Sequence, residues 1–230
     1  MDGGEMVRLF DRNMFIMLIA IMVGIVIITY FIADIQRRTQ IDTLTVEHAT
    51  QIVDITNKNQ NFTDHFLQGS LTMDAAREQR EISNYYFDFG LFWYQTALQQ
   101  DNETYLGYCV MNCSQAMDNY LISYEKFEES KPYFLDALTF TDIEKYIEII
   151  GYYLKFAEAG MNITLLRYDA SKYLMYVAQN LSLGNTENAS AMLSLFNETV
   201  VLYQGQVGAY DELKGQIDEY TFFDPIREPH

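Results

Sequence analysis

Twenty consecutive residues, Met14–Ala33 (MFIMLIAIMVGIVIITYFIA), contain no charge, no Asn, no Gln and no Pro. A helix of that length covers roughly 30 Å, the thickness of a bilayer's hydrocarbon core. A secretory signal peptide has a shorter apolar region, roughly 7–15 residues, and ends at an A-x-A-like site. Here Ala33 stands between Ile32 and Asp34, and no such site follows. The stretch therefore reads as a retained signal anchor, a single transmembrane helix in contact with the lipid bilayer. It divides the chain into a short cytoplasmic leader (1–13), the membrane helix (14–33), a folded domain (34–223) and a flexible tail (224–230).

Basic residues do not orient the helix, because Arg8 and Arg12 before it are matched by Arg37 and Arg38 after it. The asparagines do. Seven of them open an N-x-[ST] triplet: Asn61, Asn102, Asn112, Asn162, Asn180, Asn188 and Asn197. The chain has thirteen Asn, and its Ser and Thr content would give about 1.4 such triplets by chance. All seven follow the apolar run, which places the folded domain on the extracellular face as a glycoprotein. Seven sequons beside only two cysteines fit an archaeal surface as well as a eukaryotic one, with the balance leaning archaeal.

Charge narrows the partners. After residue 33 the chain carries 29 acids and 13 Lys or Arg, a net charge of −16. Such a surface repels phosphate backbones, so no nucleic-acid partner is expected. Eighteen Tyr and fifteen Phe exclude a disordered ectodomain. Three Pro and long gaps between turn signals point away from a β-sandwich.

The expected fold is all-α: an N-terminal transmembrane helix continuing into an extracellular antiparallel bundle of about 5–6 helices. Past Asp34, the residues Ile41, Thr45, His48, Ile52, Ile55, Asn59, Phe62 and Phe66 alternate steps of four and three, the seam of a coiled coil or bundle. Gly69-Ser70 predicts the stop of this stalk-like helix. Thr72 predicts the cap of a second helix to about Leu98, with Ile82, Tyr86, Phe89, Trp93 and Ala97 on its stripe. Asp101 predicts the next cap, ahead of a third helix bearing Leu106, Cys109, Cys113, Met117, Tyr120, Tyr124 and Phe127. Ser130 and Pro132 predict a restart. Thr141 and Glu144 form a capping box for a helix closed at Gly160. Asn162 predicts a fifth helix closed near Gly184, and Asn185 or Thr186 a last one to about Tyr220.

Two stretches stand out as candidate sites. NYYFDFGLFWY (84–94) places aromatic residues on nearly every side of a helix. It fits a central buried helix, a partner interface through Tyr85, Phe89, Phe92 and Trp93, or a platform that stacks on glycans. Cys109 and Cys113 lie one turn apart on the apolar face. They fit free buried thiols or a disulfide with a distorted local helix, because the Cβ directions of an i, i+4 pair suit a bridge poorly.

Catalytic chemistry is not expected. Three scattered His build no Glu-x-x-His pair, and the H-E-x-x-H, G-x-S-x-G, P-loop and EF-hand patterns are absent. Carboxylate pairs such as Glu144/Glu148 and Glu125/Glu129 read as solvated helix faces. No cofactor and no metal are expected. The sequence thus points to a structural or accessory subunit of a membrane or cell-envelope assembly, joined to other membrane or envelope proteins in a hetero- or homo-oligomer. The alternative is a ligand-binding or sensory ectodomain that signals through a partner protein. On an alternating topology, Tyr220, Phe222 and Phe223 would return to the membrane interface.

Overall fold

The computed structural model describes the backbone of residues 3–219 and the side chains of residues 35–218. Four helices and no strand occur among them: α1 (Gly3–Gln100), α2 (Thr104–Leu138), α3 (Glu144–Ser182) and α4 (Thr186–Glu219). Two compact units divide the chain, Met1–Asn57 and Lys58–His230, and the boundary falls inside α1.

In the first unit, Met14–Ala33 falls within α1, with its side chains outside the described residues. Among the described residues no helix is long and apolar enough to cross a membrane. From Ile35 to Asn57 every side chain is exposed, Ile41, Ile52 and Ile55 of the expected seam included. The hydroxyls of Thr39, Thr43, Thr45, Thr50 and Thr56 each donate to the carbonyl four residues earlier, at 2.8–3.0 Å. Those side chains are thereby satisfied within their own helix.

The second unit is a four-helix bundle. Ser123 Oγ donates to the Ala76 carbonyl at 2.8 Å and Tyr120 Oη to Asn84 Oδ1 at 2.6 Å, pairs whose order shows α2 running antiparallel to α1. Phe62 stacks on Tyr146 and Phe66 meets Tyr153, so α3 runs parallel to α1. Phe156 stacks on Tyr210, and Arg167 lies over Tyr203, which makes α4 antiparallel to α3.

Small residues at seven-residue intervals explain how these helices approach. On α1 the buried row is Gly69, Ala76, Ser83, Gly90 and Ala97; on α2 it is Cys109, Ala116, Ser123, Ser130 and Ala137. A heptad spacing keeps one stripe facing the neighbouring helix, and small side chains there let large ones from across the interface seat against the backbone. Phe134 covers Gly69, Cys113 covers Gly90, and Phe127 covers Gly160 of α3. The heptad neighbours of the small rows are large: Met73, Phe87 and Tyr94 on α1, and Tyr120, Phe127 and Phe134 on α2, all buried.

These contacts account for four helices where five or six were expected. Gly69 and Gly160 are sites of close packing inside α1 and α3, not helix ends. Ser130 donates to the Phe127 carbonyl at 2.7 Å, and Pro132 lies within α2. Thr72 donates to the Gln68 carbonyl at 2.9 Å inside α1, and Asn162 lies inside α3. Real turns keep their signatures. Asp101 has φ +49° and Gly184 φ +70°, the left-handed conformations that end helices. Asn102 Oδ1 accepts from the Thr104 N–H at 3.0 Å just ahead of α2, whose N-cap is Glu103 and not the expected Asp101. Asn185 Oδ1 accepts from the Asn188 N–H at 3.2 Å and caps α4. The Thr141 hydroxyl accepts from the Ile143 N–H at 3.2 Å, one residue short of the expected capping box.

Apolar burial falls into two clusters. One gathers Phe87, Tyr94, Leu106, Cys109, Cys113, Leu174, Val177 and Phe196; the other gathers Phe62, Met73, Phe127, Phe134, Ile150, Phe156, Ile163 and Tyr210. Between them lies a polar layer. It holds Gln79, which donates to Asn119, with Arg80, Ser83, Asn84, Thr164 and Arg167.

Candidate binding surfaces

The aromatic run 84–94 does not lie in a helix buried all round. Its buried side is set by the small row, so Phe87, Gly90 and Tyr94 turn inward. Ile82, Phe89 and Trp93, expected on the core stripe, turn outward or to the rim, because a helix aromatic on every side carries no phase of its own. Tyr85 is 61% exposed and Phe92 53%. With Ile82 and Phe89 they form an outer row at spacings of three, four and three. Tyr85 and Phe89 have ring centroids 4.6 Å apart, and Phe92 meets Trp93 at 5.1 Å. Trp93 extends the row onto α2, stacking on Tyr105 at 5.4 Å and meeting Tyr108 at 5.2 Å. The four residues named from sequence thus form two ring pairs on α1, Tyr85 with Phe89 and Phe92 with Trp93.

The sequons divide by burial. Asn61, Asn102, Asn162, Asn188 and Asn197 are exposed, and Asn180 is half-buried. Asn112 is only 8% exposed, and its Nδ2, the atom a glycan would occupy, donates to the Tyr108 carbonyl at 2.8 Å. Asn180 Nδ2 makes the same bond, to the Tyr176 carbonyl at 2.8 Å, so Asn112 is set apart from the other six by its burial.

Cys109 and Cys113 are free thiols on an undistorted turn of α2, both fully buried, with Sγ atoms 3.9 Å apart. The thiol–thiol hydrogen bond and then burial push the Cys113 thiol well above the ordinary range. Buried and held protonated, it is a poor nucleophile.

The polar layer contains a feature that the sequence reading missed. Arg167 lies over the rings of Phe87, at 4.6 Å, and Tyr203, at 4.1 Å. Arg80 lies over Tyr210 at 4.2 Å. The Nε of each arginine is buried without a hydrogen-bond partner, as are Thr164 Oγ1 and Tyr210 Oη. Burial pushes the Tyr120 phenol up in the same layer, against the opposing pull of Arg167 and Arg80. Beside Arg167 opens a hollow of about 410 Å³, walled by Leu91, Phe196 and Val200, with Asp88 and Gln95 among its lining. The signal was present in the heptads. Arg80 interrupts the row Met73–Phe87–Tyr94, and Arg167 the row Gly160–Leu174.

Among the described residues no three His, Cys, Asp or Glu stand close enough to hold a metal ion. Glu125, Glu129, Glu144 and Glu148 are exposed, and Tyr152 Oη lies 3.5 Å from Glu148 Oε1. His48 is exposed, while His65 stacks on Phe140 and faces Asp136 at 3.9 Å. Tyr220, Phe222 and Phe223 lie outside the described residues. Compared with protein-family models, with curated proteins and with solved structures, the chain matches none.

Proposed function

We propose that this chain is a single-pass, N-glycosylated surface protein serving as an accessory subunit of a membrane or cell-envelope assembly. It docks on a partner protein through the face built from Ile82, Tyr85, Phe89 and Phe92. The observation that carries the reading is that row of exposed aromatics on a helix whose other side is fully packed. Large aromatic side chains are the anchors of protein interfaces, and the 3-4-3 spacing suits a partner helix. Two further features support it. The apolar run Met14–Ala33 supplies an anchor. Asn112, one turn from Tyr108 beside Trp93, is buried with its amide bonded to the Tyr108 carbonyl, which disfavours a glycan at that position.

The test is a mass-spectrometric inventory, glycopeptides included, after mild-detergent purification from native membranes. Wild type is compared with the double variant Tyr85→Ser/Phe92→Ser. Both side chains are exposed, so each substitution should change stability by no more than about 0.5 kcal/mol. The expected result is a stoichiometric protein partner that the double variant loses, with glycans on exposed sequons. A partner kept equally by the variant would overturn the docking face, and bare asparagines throughout would overturn the external placement.

A further inference from the structure

The Arg167 hollow carries an inference that goes beyond docking and does not depend on it. Arg167 comes from α3, at a heptad position where its neighbours one turn of the repeat away are Gly160 and Leu174. Its partly buried guanidinium makes no ion pair or hydrogen bond among the described residues, although acids outnumber bases 32 to 15 in the chain. A guanidinium nitrogen withdrawn from water is ordinarily hydrogen-bonded. The rings of Phe87 and Tyr203 hold the guanidinium in place but take up none of its five N–H donors. The group is therefore positioned, with its buried Nε lacking a hydrogen-bond partner among the described residues.

The lining of the hollow specifies what could use it. Leu91 of α1, with Phe196 and Val200 of α4, offers an apolar wall. Asp88, one residue after Phe87, supplies a carboxylate that makes no ion pair with Arg167 within 4 Å. A simple anion entering beside Arg167 would meet repulsion from Asp88, and a simple cation would meet the converse. A molecule bearing both charges meets neither objection. The volume of about 410 Å³ leaves room for an apolar body besides.

We propose that this hollow is a binding site for a small apolar zwitterion of the free amino acid class. Its carboxylate is taken by the Arg167 guanidinium, its ammonium by Asp88, and its side chain by the Leu91–Phe196–Val200 wall. A carboxylate meeting a guanidinium at two points forms the strongest class of protein hydrogen bond, and Arg rather than Lys offers that geometry.

The experiment titrates leucine and phenylalanine into the full-length protein in mild detergent, read by calorimetry and by the shift in melting temperature. Phenylalanine amide, which lacks the carboxylate, and phenylacetate, which lacks the ammonium, are the controls. The expected result is saturable binding of at least one amino acid, with each control weaker by at least about tenfold. Asp88→Asn, an exposed change, should weaken amino acid binding by about the same factor, and Arg167→Gln should abolish it. Because Arg167→Gln also removes packing on Phe87 and Tyr203, Val200→Trp is the second variant. It fills the hollow with Arg167 intact, and binding should be lost while the melting temperature of the unliganded protein holds. Absence of saturable binding at millimolar concentration, equal affinity for either control, or full binding by Val200→Trp would each overturn the proposal.

Discussion

Gly160 lies so close under Phe127 that a Cβ built on it would stand 2.6 Å from the ring's Cζ. The ring is wedged between helices at zero exposure and has nowhere to withdraw. Gly160→Ala should therefore lower stability by about 1–3 kcal/mol through overpacking. Gly208 in α4 meets nothing within 4 Å. There the same substitution should raise stability by about 0.5–1 kcal/mol, because a helix interior favours Ala. Urea melts of the two variants check the contrast, and equal effects would contradict the packing role. At the same scale, burial pushes up the phenols of Tyr94, Tyr120 and Tyr210, and the bond from Cys109 together with burial pushes up the Cys113 thiol. Unfolded, these groups ionise at ordinary values, near 8.5 for Cys and 10 for Tyr. Their contribution is thus complete below about pH 8.5 and is lost as pH rises past those values toward the folded ones. The urea midpoint should fall between pH 8 and pH 11, and a midpoint unchanged over that range would contradict the burial of these groups. Residue identity made some of this legible in advance. Asn185 and Gly184 carried clear turn chemistry. Gly69 and Gly160 carried the same letter with the opposite meaning, since a glycine ends a helix or admits a ring according to what lies across the interface.

At the scale of the element, residues that favour helix ends also lie inside helices, Gly69 and Gly160 against rings and Pro132 and Asn162 in the open. Pro132 lies exposed in the interior of α2, where its ring nitrogen offers no N–H to the helix. Pro132→Ala should stabilise the protein by on the order of 1–3 kcal/mol, measured as a rise in melting temperature. A loss of stability would instead show that the proline fixes the path of α2 past Phe134. The aromatic run 84–94 shows why phase was lost from α1. Large apolar residues on every side hide the buried stripe, whereas Gly69, Ala76, Ser83, Gly90 and Ala97 mark it at a spacing of seven. The all-α character followed from the scarcity of Pro, the long gaps between turn signals and the helical spacing of apolar residues. The partner between helices did not, because each small row acquires meaning only beside the large row of its neighbour. Arg80 and Arg167 were legible as charges at heptad positions, a pattern masked by the apolar residues around them.

For the whole molecule, the folded unit has its inner stripes packed on one another, while its outer aromatic row is exposed among the described residues. On the proposed role, that row is the face kept for another protein. The most direct measurement is site-specific photocrosslinking in native membranes. A photoreactive residue is placed at Tyr85 or Phe92 and, as controls, at the exposed Val201 of α4 and Leu135 of α2. Positions 85 and 92 should each give one protein adduct of defined mass, and positions 135 and 201 none. Adducts formed equally from all four positions, or from none, would contradict the proposed docking face.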